Sequence, residues 1–350
     1  MIVKVPKFIR GVSNQTVLQY FRQEYNFYSY YATRECPMRI PALYYHHLHE
    51  NGNFVLIIED LRFVSVRTGD QVKGVGLKHA QEAVKQLAKF HASWWESPLL
   101  GELQWISSAQ SGLAAYAPMF VNLWKNFVRE NENSPASLFF LTLTPSLLYN
   151  SSLHHPIPTF SHQNTAKLSE NIQALGDYLS EELKTFSDSK NHTGPRTLLH
   201  GDLRGDNMFV WDEGEADSFC AIDFQCVHAG NPAEDLAYFF GGSVPTDLLI
   251  AHDRDLLHLY HSTLLECGVQ NYSFDALWDD YKVQLILNTV CPILNIQRRR
   301  EGLKANPNAP LNPRVEQLLN CWFARATAVV DHHVSNAADA LRAAWAHLHA

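Results

Sequence analysis

The sequence predicts a mixed α/β (α+β) fold of two lobes, a small N-terminal sheet lobe over residues 1–74 and a large, mainly helical C-terminal lobe over residues 75–350. Three observations predict it. Apolar and β-branched runs cluster before residue 61 around the pair Asn51-Gly52, a strong hairpin signal. Stretches largely free of Gly and Pro, with apolar residues at helical spacing, fill most of the chain after Leu77. Within that part, residues 199–210 (LHGDLRGDNMFV) and 221–225 (AIDFQ) read as loop, strand, turn and strand.

In chain order, Ile2-Val3-Lys4-Val5 ends at Pro6 and marks a short strand. Residues 16–31 contain neither Gly nor Pro and carry Val17, Phe21, Tyr25 and Tyr28 at helical intervals, so they predict an amphipathic helix that Ser13 or Asn14 can cap. Residues 42–49 and 54–60 predict two strands joined by Glu50 to Asn53. The stretch 68–76, rich in Gly and charge, connects into a helix over 77–95, and the lobe boundary falls there. Further helices are expected over 113–129, 166–185, 232–240, 246–267, 274–296 and 314–347. Pro, Gly, Ser and Asn break the periodicity at 150–161, 191–196 and 302–313.

With 350 residues and 46% hydrophobic composition the chain can bury a substantial core. A net charge of −8 gives no general attraction to nucleic acid or to an anionic membrane. No apolar run reaches the roughly 18 residues of a membrane span, and residues 1–10 lack the layout of a secretory signal, so a cytoplasmic protein is expected. Cys36, Cys220, Cys226, Cys267, Cys291 and Cys321 include no C-x-x-C pair and are expected to be reduced core thiols. His46, His47, His49, His332 and His333 complete no recognisable ligand set.

The chemistry concentrates on three residues. Asp202 stands five positions before Asn207, and Asp223 follows a second short strand segment. Moving a phosphoryl group needs an oriented hydroxyl nucleophile and cations against the phosphate oxygens. An Asp can take the hydroxyl proton, and a carboxylate and an amide oxygen are hard ligands suited to Mg²⁺. Asp202 is therefore assigned the base, with Asn207 and Asp223 as metal ligands. Taken singly, either Asp would more often cap a loop or end a strand. GDLRGDN also echoes the metal loops of metallophosphoesterases, but the Asp-x-His, Gly-Asn-His and Gly-His-x-His partners of that class are missing.

The HGD-x-x-x-x-N wording resembles the aminoglycoside phosphotransferase and choline kinase superfamily. Together with AIDFQ, residues 230–238 (GNPAEDLAY) and residues 87–95 (LAKFHASWW), it looks like the ecdysteroid kinase-like, or CHK kinase-like, group. The resemblance implies a protein kinase-like fold and ATP- and Mg²⁺-dependent phosphorylation of a hydroxyl on a small-molecule acceptor. It implies that Lys4 meets the nucleotide phosphates and is held by Glu24, and that residues 54–61 (FVLIIEDL) lead to a hinge where Glu59 through Leu61 meet adenine. Arg204 would lie near the transferred phosphate, His200 would buttress the loop, and Asp235 would steady it through backbone hydrogen bonds. The acceptor pocket is expected from residues 256–300, with Tyr260, Trp278, Tyr281 and Arg298 to Arg300, although aromatics at helical spacing are commonly core.

The sequence departs from the group in one respect. Lys4 is only the fourth residue, whereas related enzymes place a glycine-containing strand pair before it. The N-terminal lobe is therefore expected to be truncated, with the Lys4 strand at a sheet edge. A catalytically silent nucleotide-binding or scaffold protein is the second hypothesis.

Overall fold

The computed structural model describes residues 1–5, 14–50, 53–63, 67–133, 168–188, 194–211, 219–306 and 312–346. The Asn51-Gly52 turn, the side chains expected to cap the first helix and the loop at 150–161 lie outside them.

The architecture is mixed α+β, as the sequence predicts. Strand β1 (Ile2–Lys4) precedes helix α1 (Asn14–Tyr31), and β2 (Leu43–Leu48) and β3 (Phe54–Ile58) complete an antiparallel sheet of order β1-β3-β2. Phe54, Leu56 and Ile58 alternate inward along β3, which suits a central strand covered on one face by α1. β1 sits at an edge, and β2 is exposed along most of its length, with Tyr44 and Tyr45 in the open.

Strand β4 (Arg67–Thr68) leads to α2 (Leu77–Ser93), α3 (Leu99–Glu102), β5 (Ser107–Ser108), α4 (Ala109–Asn133) and α5 (Glu170–Asp188). Helix α2 buries Ala80, Ala83, Val84, Leu87, Ala88 and His91, a three-and-four spacing that turns one face to the core. Four short strands follow: β6 (Thr197–Leu199), β7 (Met208–Val210), β8 (Phe219–Ala221) and β9 (His228–Gly230). They form two further sheets, β4-β7-β8 and β5-β9-β6. The chain ends in α6 (Ala233–Ser243), α7 (Thr246–Glu266), α8 (Phe274–Asn288), α9 (Val290–Ala305), α10 (Pro313–His333) and α11 (Ala337–Ala344).

Two predicted helices are broken. The stretch read as 274–296 divides between α8 and α9 around Thr289, because Pro292 has no N–H to donate and its ring would crowd the carbonyl four residues back. The stretch read as 314–347 stops at His333, and α11 starts afresh where the Asn336 side chain accepts from Asp339 N at 3.1 Å. Helix α10 itself begins with Pro313 in its first turn and Asn312 as cap, an arrangement matched to the fixed φ of proline.

One apolar cluster runs from the underside of α1 through α2 and α6 to α10. Phe27 of α1 stacks on Phe224 at 3.9 Å between ring centres and 7° between planes, which ties α1 to the turn after β8. No helix among the described residues is long and apolar enough to cross a membrane. All six cysteines are free, but only Cys220 is buried and Cys267 is exposed, so they are not uniformly core thiols.

Candidate active site

β6 delivers the chain to His200-Gly201-Asp202, and the backbone of that turn is held by a buried carboxylate. Asp235, in the first turn of α6, accepts His200 N at 2.7 Å and Gly201 N at 2.9 Å. Its Oδ2 also faces His91 Nε2 at 3.2 Å, and His91 Nδ1 meets the Tyr260 hydroxyl at 2.7 Å. Burial alone would push the Asp235 carboxyl up, yet the hydrogen bond and charge of His91 and the backbone donors hold it below the ordinary value. The His200 ring donates from Nε2 to Ile222 O at 3.0 Å and accepts Asp202 N on Nδ1 at 3.2 Å, which fixes its tautomer. Gly201 adopts φ +76°, and a Cβ there would stand 2.2 Å from Cys226 O. Only glycine fits this turn.

Asp202 is gripped from three sides. Tyr238 donates its hydroxyl to Oδ1 at 2.6 Å, Arg204 Nε reaches the same oxygen at 3.2 Å, and Asn207 Nδ2 reaches Oδ2 at 2.9 Å. Asn207 Nδ2 also donates to Asp202 O at 2.9 Å, which closes the five-residue loop on itself. Burial is the largest influence on the Asp202 carboxyl and raises it above the ordinary value, against the lowering effect of Arg204 and Tyr238. Arg204 also donates to Asp206 at 3.2 Å, and Asp206 accepts Gln71 N at 3.0 Å and Arg314 at 3.1 Å. The connector after β4 and helix α10 are thereby pinned to the loop.

Asp223 follows β8 in a left-handed conformation, φ 70° and ψ 62°, sparsely populated for a residue with a side chain. Ile222 N donates to Asn207 O at 3.0 Å, so Asp223 emerges beside Asn207. Asp223 lies near enough to raise the carboxyl pKa values of both Asp202 and Glu24. Glu24, on the buried face of α1, pairs with Lys4 Nζ at 2.5 Å and accepts the Phe224 backbone. Burial raises its carboxyl, and Lys4 pulls in the opposite direction. Lys4, Glu24, Asp223, Asp202, Asn207 and Arg204 therefore form one connected group drawn from β1, α1 and the β6-to-β8 loops.

Among the described residues no group of three His, Cys, Asp or Glu side chains is set to hold a metal ion. Mg²⁺ arriving on nucleotide phosphates asks for less, because it keeps several waters and takes one or two protein oxygens. Asn207 and Asp223 are the residues that could supply such oxygens. The Asn207 amide nitrogen is committed to Asp202, which turns Oδ1 the other way, and among the described residues the Asp223 carboxylate takes one 3.4 Å contact, from Gln225.

Residues 1–95 and 122–270 match the ecdysteroid kinase-like family. The chain belongs to that family. Similar solved structures include a choline/ethanolamine kinase family protein from Mesorhizobium loti, at 14% identity and TM-score 0.45, covering 87% of this chain and 78% of that one. Another is the choline kinase LicA from Streptococcus pneumoniae, at 15% identity and TM-score 0.44, covering 95% and 86%. No curated protein matches the sequence significantly.

Within this ecdysteroid kinase-like chain Glu59 and Leu61 stand just after β3. Glu59 accepts Ala42 N at 3.2 Å and stands 3.9 Å from Arg39, while Leu61 packs with Trp211 and Cys220. The expected acceptor pocket is corrected: Tyr260 and Tyr281 are fully buried core residues, Tyr260 serving His91. Arg299 and Arg300 bridge helices, to Glu316 at 2.8 Å and Glu130 at 3.6 Å. Tyr238 is the residue that sequence reasoning missed. Its one signal is its place three residues after Asp235, which puts both on the same face of α6.

Proposed function

We propose that this chain transfers the terminal phosphoryl group of ATP, in the presence of Mg²⁺, to a hydroxyl of a small molecule. The observation that carries the reading is the single cluster in which Asp202 is fixed by Asn207 and neighbours Asp223, while the Lys4–Glu24 pair closes the group from the sheet side. Asp202 orients the acceptor hydroxyl and takes its proton. Lys4 faces the nucleotide phosphates, with Glu24 keeping the ammonium in place. Asn207 and Asp223 hold the magnesium, whose chemistry is to offset charge on the phosphate oxygens. Arg204, anchored on Asp202 and Asp206, presents a guanidinium beside the reacting oxygens.

The test is ATP turnover against a panel of steroid alcohols, choline-like alcohols, sugars and aminoglycosides. Asp202→Ala is expected to lower the rate by about 10²–10⁴-fold, the usual worth of a positioned base. Asp223→Ala is expected to abolish the response to Mg²⁺. Equal rates in the parent and both variants would remove the enzyme reading. The partial exposure of the Lys4 side chain favours a silent nucleotide-binding protein as a second reading. Thermal stabilisation by Mg²⁺-ATP without turnover would select it.

A further inference from the structure

We propose that Tyr238 is a positioning residue: by donating to Asp202 Oδ1 it reserves Oδ2 for the proton of the reacting alcohol. The inference rests on the phosphotransfer reading above and adds to it which oxygen acts and what keeps it free.

An ionised carboxylate offers about four lone-pair sites, two on each oxygen. On Asp202, Oδ1 receives the Tyr238 hydroxyl at 2.6 Å and Arg204 Nε at 3.2 Å, and is filled. Oδ2 receives Asn207 Nδ2 at 2.9 Å and keeps one site. An alcohol entering beside Asn207 and Asp223 meets that site. Its proton passes to Oδ2 as the alcohol oxygen bonds to phosphorus, and the bond to the leaving diphosphate breaks with its electron pair going to ADP.

Tyr238 is suited to hold Oδ1. Its ring is set edge-on against Trp322 of α10, 5.2 Å between centres at 75°, so α10 fixes where the hydroxyl points. Burial and the Asp202 charge push the phenol well above its ordinary value, so it stays a donor throughout the working pH range. The 2.6 Å length is that of a hydrogen bond to a charged oxygen. The other ionisable groups around Asp202 are Arg204 and His200 on its own loop, Asp223 and Cys226 after β8, and Cys291 on α9. None of these supplies a second hydroxyl to Oδ1.

The test is carboxyl carbon NMR of the full chain labelled at aspartate, the Asp202 signal being assigned by its loss in Asp202→Asn. Tyr238→Phe keeps the ring and its contact with Trp322, and is expected to raise the Asp202 titration midpoint by about one pH unit, the effect of one lost hydrogen bond to a charged group. A tyrosine that only packs would leave the midpoint unchanged, and that result overturns the proposal. The same bond is read from its other end in the parent, where the Tyr238 hydroxyl proton should appear far downfield and move upfield in Asp202→Asn. An unmoved signal overturns it as well, even if Tyr238→Phe does not fold. In turnover, Tyr238→Phe should lower kcat with the KM for ATP unchanged. A rate that rises instead would mean that the alcohol displaces Tyr238 and uses Oδ1. Absence of turnover in the parent counts against phosphotransfer, whereas the carboxyl titration still decides the role of Tyr238.

Discussion

Asp235→Ala is expected to be among the most damaging single substitutions in the chain, although Asp235 lies behind the reacting group and not within it. The carboxylate is 1% exposed and takes hydrogen bonds from His200 N, Gly201 N and His91 Nε2. Alanine leaves the buried His200 N–H and the half-buried Gly201 N–H without an acceptor, at about 1–3 kcal/mol for the buried one and less for the other. It also strips His91 of its carboxylate partner, and breaking a buried pair costs about 3–5 kcal/mol. The two figures overlap, so the expected loss is about 3–5 kcal/mol, against the roughly 5–15 kcal/mol that holds a typical domain folded. Asp235→Asn keeps one acceptor oxygen and the shape, and should fall between the parent and Asp235→Ala. Urea unfolding at pH 7, followed by tryptophan fluorescence, measures the three proteins. Because the folded carboxyl is held below its ordinary value, its contribution is present above about pH 4 and is lost as pH falls through the folded value. Asp235→Asn should accordingly flatten the acid side of the stability profile. An Asp235→Ala protein as stable as its parent would refute the claim that this carboxylate organises the loop.

Gly201→Ala forces a side chain into a left-handed turn with its Cβ 2.2 Å from Cys226 O, so it should lose several-fold more ATP turnover than its modest size suggests and lower the thermal midpoint in the same preparation. His228 is pulled down by burial but raised further by Glu234 at 3.0 Å and by Cys226 O, to about 9. Its pairing stabilises the fold fully below about pH 6.5 and is lost as pH rises through about 9, a change of up to about 3 kcal/mol. His228→Gln should remove that slope from urea midpoints measured between those pH values. Phe27→Ala deletes the ring stacked on Phe224 and should cost about 3–5 kcal/mol in urea unfolding while weakening nucleotide-induced stabilisation, since α1 carries Glu24.

The residues that gather at the candidate site were largely legible in the sequence. The five-residue interval from Asp202 to Asn207 and the later Asp223 are local facts of spacing, whereas the pairing of Lys4 with Glu24 was implied only by the family resemblance. The break between α8 and α9 was also written there, in Pro292, but a strong helical pattern on both sides outweighed one residue. The acceptor pocket was not legible, because Tyr260 and Tyr281 share the helical spacing of aromatics that line a cleft and of aromatics that fill a core.

The sequence alone determined the mixed fold, the first three strands, most of the long helices and the identity of the chemical groups, since periodicity, turn residues and motif spacing are properties of neighbouring positions. Only the tertiary structure decided that Tyr238 points at Asp202 and that the arginines of α9 bridge helices. Hydrogen bonds between residues tens of positions apart depend on how helices pack, and packing is a sum over the whole core that no local pattern encodes.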